Sequence, residues 1–356
     1  MLPAINENLS KRISSLRFLL IVFVVFAHNN PTTVNFANGT ETYDIPSYVN
    51  VVRRLISEIR TTIPLFFLLS GFLLYAKETK LTTVLKKKSR TILLPYLLWN
   101  ALTILFYYIA QSFSFTEPYF ATNIVRNFTI MDYVGAFTGK AGIYAEHGGT
   151  PIAYPLWFLR DLFILNLAFI GIKKLVDKFP LGTLMLFVIL WIGSIDIYVV
   201  SPEALLFFTL GYYAVKYSLD IRKLDSLKMY DIVALYAITI VIELFFKESV
   251  PVIHNLNIVI GSIFFLKLTQ YFVSSQKVFG KLLWLEGYAF WVYVAHAIPL
   301  SIMTKLSVKI IPMHDGWLLL QYFGVSITAV VILVAMGAAV KKLFPKTYTV
   351  LTSGRT

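Results

Sequence analysis

The chain contains no cysteine, which removes disulfide frameworks, thiolate nucleophiles and cysteine-ligated metals from consideration. It is also short of charge: Asp, Glu, Lys and Arg make up 14% of its 356 residues, against about 25% in a soluble domain. Acidic residues are the scarcer kind, 19 against 32 basic, for a formal net charge of +13. Apolar side chains fill the gap, with 57% hydrophobic residues, 16% aromatic and a mean hydropathy of +0.71. This balance excludes a soluble globular protein and predicts an all-α polytopic membrane protein. The basic residues cluster between apolar runs, as topology signals do, so the positive charge points to no nucleic-acid partner.

About ten apolar stretches read as transmembrane helices: 14–29, 60–76, 91–113, 156–172, 181–200, 203–219, 230–246, 251–272, 283–304 and 316–340. An inner N-terminus places about three times as many Lys and Arg on inner as on outer segments, which predicts N-in and C-in. The first run carries Arg17 and has no A-x-A-like cleavage site, so it reads as a retained helix rather than a signal peptide. Residues 1–356 are expected to form a single integral membrane domain with no fused soluble domain. Two polar outer loops, 30–59 and 114–155, either cover a polar substrate or simply connect helices. Asn38-Gly-Thr and Asn127-Phe-Thr match the short glycosylation acceptor pattern.

Ionisable residues inside apolar runs are costly unless they face protein or water. The run KRISSLRFLLIVFVVFAHNN places Arg17 and His28 eleven residues apart. At about 100° and 1.5 Å per residue they share a helix face at two depths, roughly 16 Å apart. They read either as a functional pair aimed into one cavity or as a snorkelling arginine and an interfacial histidine. Ser70-Gly71 lies in the middle of the second run, where a small pair permits close helix approach. Lys86, Lys87, Lys88 and Arg90 form a basic cluster suited to lipid headgroups or to the phosphates of a soluble nucleotide. Pro95 should kink the third helix near its inner end.

Arg160 and Asp161 are neighbours in PLWFLRDLFILN, so they point about 100° apart and serve different contacts, structural or substrate-directed. Glu286 precedes His296 by ten residues, leaving the two roughly 80° apart on a helix. Glu243 and His254 read as packing or loop residues. The five histidines, 28, 147, 254, 296 and 314, show no close ligand spacing, and no metal site is expected.

Five pieces of the chain, in order, resemble one family. Arg17 to His28 fits an R-x10-H pattern, IPLFFLLSGFLLY an FFxxSGF helix, and SRTILLPYLLWN an R-x4-P-Y segment. PLWFLRDLFIL fits an LWFL segment, and YAFWVYVAH an (S/A)F-x2-Y-x2-H segment. Together they resemble membrane acyltransferase family 3. The resemblance implies a multi-pass enzyme of the cell membrane, by expectation the bacterial cytoplasmic membrane. It would move an O-acyl group, usually acetyl, from cytoplasmic acyl-CoA to a hydroxyl of a cell-envelope carbohydrate or lipid-linked glycan. It also implies that His28 is the central catalytic residue and Arg17 its essential partner, and that Ser70 and Arg90 occupy motif positions. Ala289 stands where many members have Ser. The esterase-like domain fused to some members is not present, so a two-stage relay within this polypeptide is not expected.

Acyl transfer needs a base or a nucleophile, and a positive group for the oxyanion. With no cysteine to compete, His28 is the expected base or transient acyl carrier. Arg17 would bind the donor's phosphate or polarise its thioester carbonyl, and Lys86, Lys87, Lys88 and Arg90 would meet the nucleotide of CoA. Acyl-CoA enters as co-substrate, with no permanently bound cofactor. Trp157, Arg160, Asp161, Glu286 and His296 complete the expected substrate-binding set. The alternative is a transporter or flippase of a polar or lipid-linked envelope precursor, with Arg17, Arg160 and Asp161 lining its path. The chain shows no convincing internal repeat, which many transporters have.

Overall fold

The computed structural model describes residues 7–354 apart from 31, 37–38, 44–45, 58, 60, 78–79, 121–123, 146–148, 196, 247–249, 251 and 315. Asn38 and His147 lie outside the described residues. Among the described residues, five helices are long and apolar enough to cross a membrane: Leu81–Ala110, Tyr154–Lys178, Met229–Phe246, Val252–Ser274 and Trp317–Leu343. A bent pair, Gln276–Ala295 with Ala297–Ile310, makes a sixth crossing if taken as one, and Thr62–Tyr75 and Pro180–Ile192 are shorter apolar helices. Against about ten expected spans, five to six therefore meet the length that a bilayer demands. The first run forms one helix, Glu7–His28, which includes Lys11, Arg12 and Arg17.

Two prolines shape these helices. Proline lacks an N–H, and its ring crowds the carbonyl four residues earlier. Ahead of Pro95 the helix widens into a π turn, Ser89–Leu93, and continues to Ala110, so the expected kink is taken up as a bulge. Pro299 acts more severely. The expected continuous span 283–304 is corrected to two helices that meet at His296 with a bend of 72°, because the ring of Pro299 crowds the carbonyl of Ala295.

The helices gather into two compact units. The first takes 7–20, 58–89 and 161–286. Its tightest contact is between helices Thr62–Tyr75 and Pro202–Lys216, where Gly71 and Gly211 face one another. A methyl group built on Gly71 overlaps the carbonyl of Phe208, and one built on Gly211 overlaps the backbone of Leu68 and Phe72. Helices Met229–Phe246 and Val252–Ser274 form an adjoining hairpin. Arg12, almost fully buried, donates to both carboxylate oxygens of Asp225. The Nζ of Lys267 donates to the Asp225 carbonyl at 2.6 Å.

The second unit takes 21–57, 90–160 and 287–354 of the described chain. The described residues of both long loops include regular elements. In 30–59, strands Thr33–Phe36 and Gly39–Thr42 pair antiparallel, with Thr33 opposite Thr42, and helix Ser47–Ser57 follows. Segment 114–155 encloses its own apolar cluster of Val125, Ala136, Tyr144 and Ile152, packed against Ile104, Tyr107 and Phe128. Gln111 ties it down, accepting from the Val125 N–H at 3.0 Å and donating to the Phe120 carbonyl at 2.7 Å. Thr129 and Asp132 form a reciprocal capping box on helix Ile130–Thr138. The Ile143 N–H donates to the same carboxylate at 2.9 Å.

Two predictions follow from this packing. Gly71→Ala or Gly211→Ala forces apart two helices in backbone contact and should cost about 1–3 kcal/mol in detergent-solubilised thermal unfolding. Gly171→Ala, which meets nothing within 4 Å, should be neutral or slightly stabilising. The second concerns Asp132, whose carboxyl is held below the usual carboxylate range by the Thr129 hydroxyl, then by the Ile143 and Thr129 N–H groups. A depressed folded value means that the contribution is present above the unfolded value and is lost as pH falls through the folded one. Protection from hydrogen exchange over 129–145, taken relative to the intrinsic rate at each pH, should therefore fall in acid below about pH 4, and Asp132→Asn should show the lower protection already at neutral pH.

Candidate active site

In the second unit, His28 is the last residue of helix Glu7–His28. The next residue holds that helix end in place. Asn29, 2% exposed, donates from Nδ2 to the Tyr322 carbonyl and the Ser326 hydroxyl, both at 3.0 Å, and its Oδ1 accepts from Thr304 at 3.1 Å. His28 thereby meets His296, which sits fully buried at the helix break. The two imidazoles stack at 5.1 Å with 11° between their planes, and His28 Nδ1 lies 2.8 Å from His296 Nε2. The ring of Tyr154 meets His28 edge-on at 4.9 Å.

The proton positions follow from hydrogen-bond chemistry. His296 Nδ1 is 2.7 Å from the Tyr293 carbonyl. A carbonyl only accepts, so Nδ1 carries the hydrogen, and in a neutral ring Nε2 is then the acceptor. His28 Nδ1 must in turn donate to that nitrogen. When the His28 ring is neutral, its lone pair then lies on Nε2, which is the arrangement of a general base or a nucleophile whose tautomer is set by a neighbour. Tyr293 is itself held, its hydroxyl donating to the Pro155 carbonyl at 2.6 Å.

In the first unit, Arg17 Nη1 pairs with Glu286 Oε1 at 2.6 Å, and both side chains are partly exposed. One carboxylate engages only part of the guanidinium, which has five N–H donors in a fixed fork. Glu286 orients Arg17 and leaves donors for an anionic group.

The acyltransferase domain family model matches residues 11–338 of the chain. The chain belongs to acyltransferase family 3. The succinoglycan biosynthesis protein ExoH of Rhizobium meliloti (strain 1021) is 27% identical over 371 residues, covering 99% of this chain and 94% of that protein. No solved structure matches the chain. Family membership and the run of apolar helices together make this a multi-pass membrane acyltransferase.

The motif positions of the family fall in several places. Arg17 and His28 are brought to different partners rather than to each other. Ser70, half-buried, lies beside the close-packed Gly71. Lys86, Lys87 and Arg90 are exposed and Lys88 is half-buried along the N-terminal part of helix Leu81–Ala110. Trp157 is half-buried at the start of helix Trp157–Lys178. Arg160 and Asp161 diverge as their adjacency requires. Arg160 donates to the carbonyls of Thr138 at 2.7 Å and Gly149 at 2.5 Å. The fully buried Asp161 accepts from the Ser201 N–H at 3.0 Å, just ahead of helix Pro202–Lys216. Both contacts are to backbone groups of the protein.

Three features escape the sequence reading. Tyr154 reaches His28 from the 3₁₀ turn that opens helix Tyr154–Lys178, and the Tyr293 carbonyl fixes a tautomer through backbone geometry. The third is a polar cluster in the first unit, where Glu243 is fully buried, pairs with His254 Nδ1 at 2.5 Å and accepts from Asn257 Nδ2. Glu243 and His254 are thus partners across a helical hairpin rather than isolated packing residues. The signal for it is Glu243, since a carboxylate within an apolar helix needs a partner.

His296→Phe keeps an aromatic ring at the helix break and removes both nitrogens. It should lower acyl transfer about 10²-fold or more, the lower end of a typical general-base contribution, with unfolding temperature little changed.

Proposed function

We propose that this protein transfers an acyl group, acetyl by the family resemblance, from cytoplasmic acyl-CoA to a hydroxyl of an envelope carbohydrate or a lipid-linked form of it, with His28 as the base. The observation that carries the proposal is the chain of contacts from the Tyr293 carbonyl through His296 to His28 Nδ1, which supports a neutral His28 with its lone pair on Nε2. The carbohydrate acceptor is supported by the similarity to ExoH, a succinoglycan biosynthesis protein.

In the reaction, His28 Nε2 removes the proton of the acceptor hydroxyl as its oxygen attacks the thioester carbonyl. The tetrahedral intermediate then collapses, the carbon–sulfur bond breaks, and the imidazolium returns its proton to the leaving thiolate. The products are an acyl ester and free CoA, with no net proton gained or lost. As His28 becomes positive, its Nδ1–H bond to the neutral His296 acceptor strengthens, which favours the charged state formed during the step. His296 acts by positioning.

Arg17 is eleven residues from His28 on one helix, roughly 16 Å by helical rise. That is comparable to an extended pantetheine arm, so Arg17 is assigned to the phosphates of the donor while His28 meets the thioester end. Glu286 holds the guanidinium for that contact. The exposed Lys86, Lys87 and Arg90, with Lys88, are assigned to the nucleotide end of CoA, where several lysines and an arginine suit phosphate.

The test follows labelled acetyl from acetyl-CoA into a crude envelope-glycan fraction, using purified protein in vesicles. Wild type should release free CoA and label the glycan fraction. Arg17→Ala and His28→Ala should each abolish both while inserting and unfolding like wild type. Normal transfer by either variant would overturn the assignment of that residue.

A further inference from the structure

The second unit also contains a cavity that the transfer chemistry does not use. It lies where helix Leu81–Ala110 ends, against helix Ala297–Ile310, and encloses about 550 Å³. Phe106, Phe113, Phe120, Tyr119, Ile302 and Leu306 form most of its wall. Along its rim Ile109, Phe113, Phe115 and Leu306 are exposed. In a multi-pass membrane protein, an apolar cavity with an exposed apolar rim is matched to hydrocarbon rather than to water.

One end of this cavity is cationic. Lys305, 8% exposed, lines the wall. Its Nζ donates to the Tyr119 carbonyl and stands 5.1 Å from the Phe120 ring centre and 5.9 Å from that of Phe36. Lys309 follows one turn later, donating to the Tyr119 hydroxyl at 2.7 Å and covering that ring at 4.6 Å. Among the described residues, neither lysine meets a carboxylate. An ammonium has three donors, and each of these keeps donors that the one oxygen from Tyr119 does not use. A buried cation without an acid is costly, and here the buried Lys305 lines an apolar chamber with the exposed Lys309 one turn away.

We propose that this cavity binds a lipid phosphate, with its hydrocarbon chain along the aromatic and aliphatic wall and its phosphate on Lys305 and Lys309. Both halves of the site are needed to select that class. A soluble phosphate gains nothing from the apolar wall, and a lipid without net negative charge leaves the lysines uncompensated. The inference concerns binding alone and stands or falls independently of the acyl-transfer reading.

The test incubates the purified full-length protein in detergent with equimolar dioleoyl phosphatidic acid and dioleoyl phosphatidylcholine, and measures the retained lipids by mass spectrometry. Wild type should prefer phosphatidic acid by roughly ten-fold or more, the scale of two lysine–phosphate contacts. Lys305→Gln/Lys309→Gln should abolish that preference. Ile302→Trp, which fills the chamber and keeps both lysines, should lower retention of both lipids. Excess inorganic phosphate should leave the preference intact. The proposal is overturned if wild type shows no preference, if the double variant keeps it, or if Ile302→Trp retains lipid as wild type does. Displacement by inorganic phosphate would also overturn it, assigning the lysines to a free anion.

Discussion

In the proposed reaction, the hydrogen bond between His28 and His296 is the constraint on which the chemistry depends. Two neutral imidazoles can share such a bond in only one sense once a third group decides which nitrogen holds a hydrogen, and the Tyr293 carbonyl is that group. The decision passes along the relay and ends at His28 Nε2. The surrounding structure of the second unit serves to hold this alignment. Pro299 breaks the helix at His296, Asn29 fastens the end of the helix that bears His28, and the Tyr293 hydroxyl is secured on Pro155. None of these contacts is strong alone, at about 0.5–1.5 kcal/mol net for a typical hydrogen bond. Together they hold the two histidines in this contact.

Much of this was legible in the sequence because apolar surroundings make polar residues conspicuous. Arg17 and His28 stand out in an uncharged run, and their eleven-residue spacing gives their depth difference without coordinates. Ser70-Gly71 announces a close helix crossing, and the partner is found at Gly211. The adjacency of Arg160 and Asp161 forces them to diverge, and they do. The five motifs of the family lie in order along the chain and name it before any fold is known.

Other features were hidden for physical reasons. Hydropathy averages over windows, so it smooths across a break such as that at His296 even though Pro299 is plainly visible three residues on. Pairings across a hairpin, such as Glu243 with His254, depend on which helix faces are apposed, and periodicity does not supply that. The tautomer of His28 rests on a backbone carbonyl, which has no letter in the sequence. The order inside segment 114–155 comes from Gln111 and Asp132 bonding to backbone groups, so a segment that reads as a polar outer loop, substrate cover or connector, folds around a small apolar cluster.

The central claim is the tautomer of His28, and solution or solid-state NMR on ¹⁵N-histidine-labelled protein tests it most directly, with His28→Gln used to assign the signal. The account predicts that near neutral pH His28 carries its hydrogen on Nδ1, coupled across the bond to His296 Nε2, and leaves Nε2 unprotonated. A His28 signal with the hydrogen on Nε2 would contradict it, because the lone pair would then point at His296 and away from any substrate.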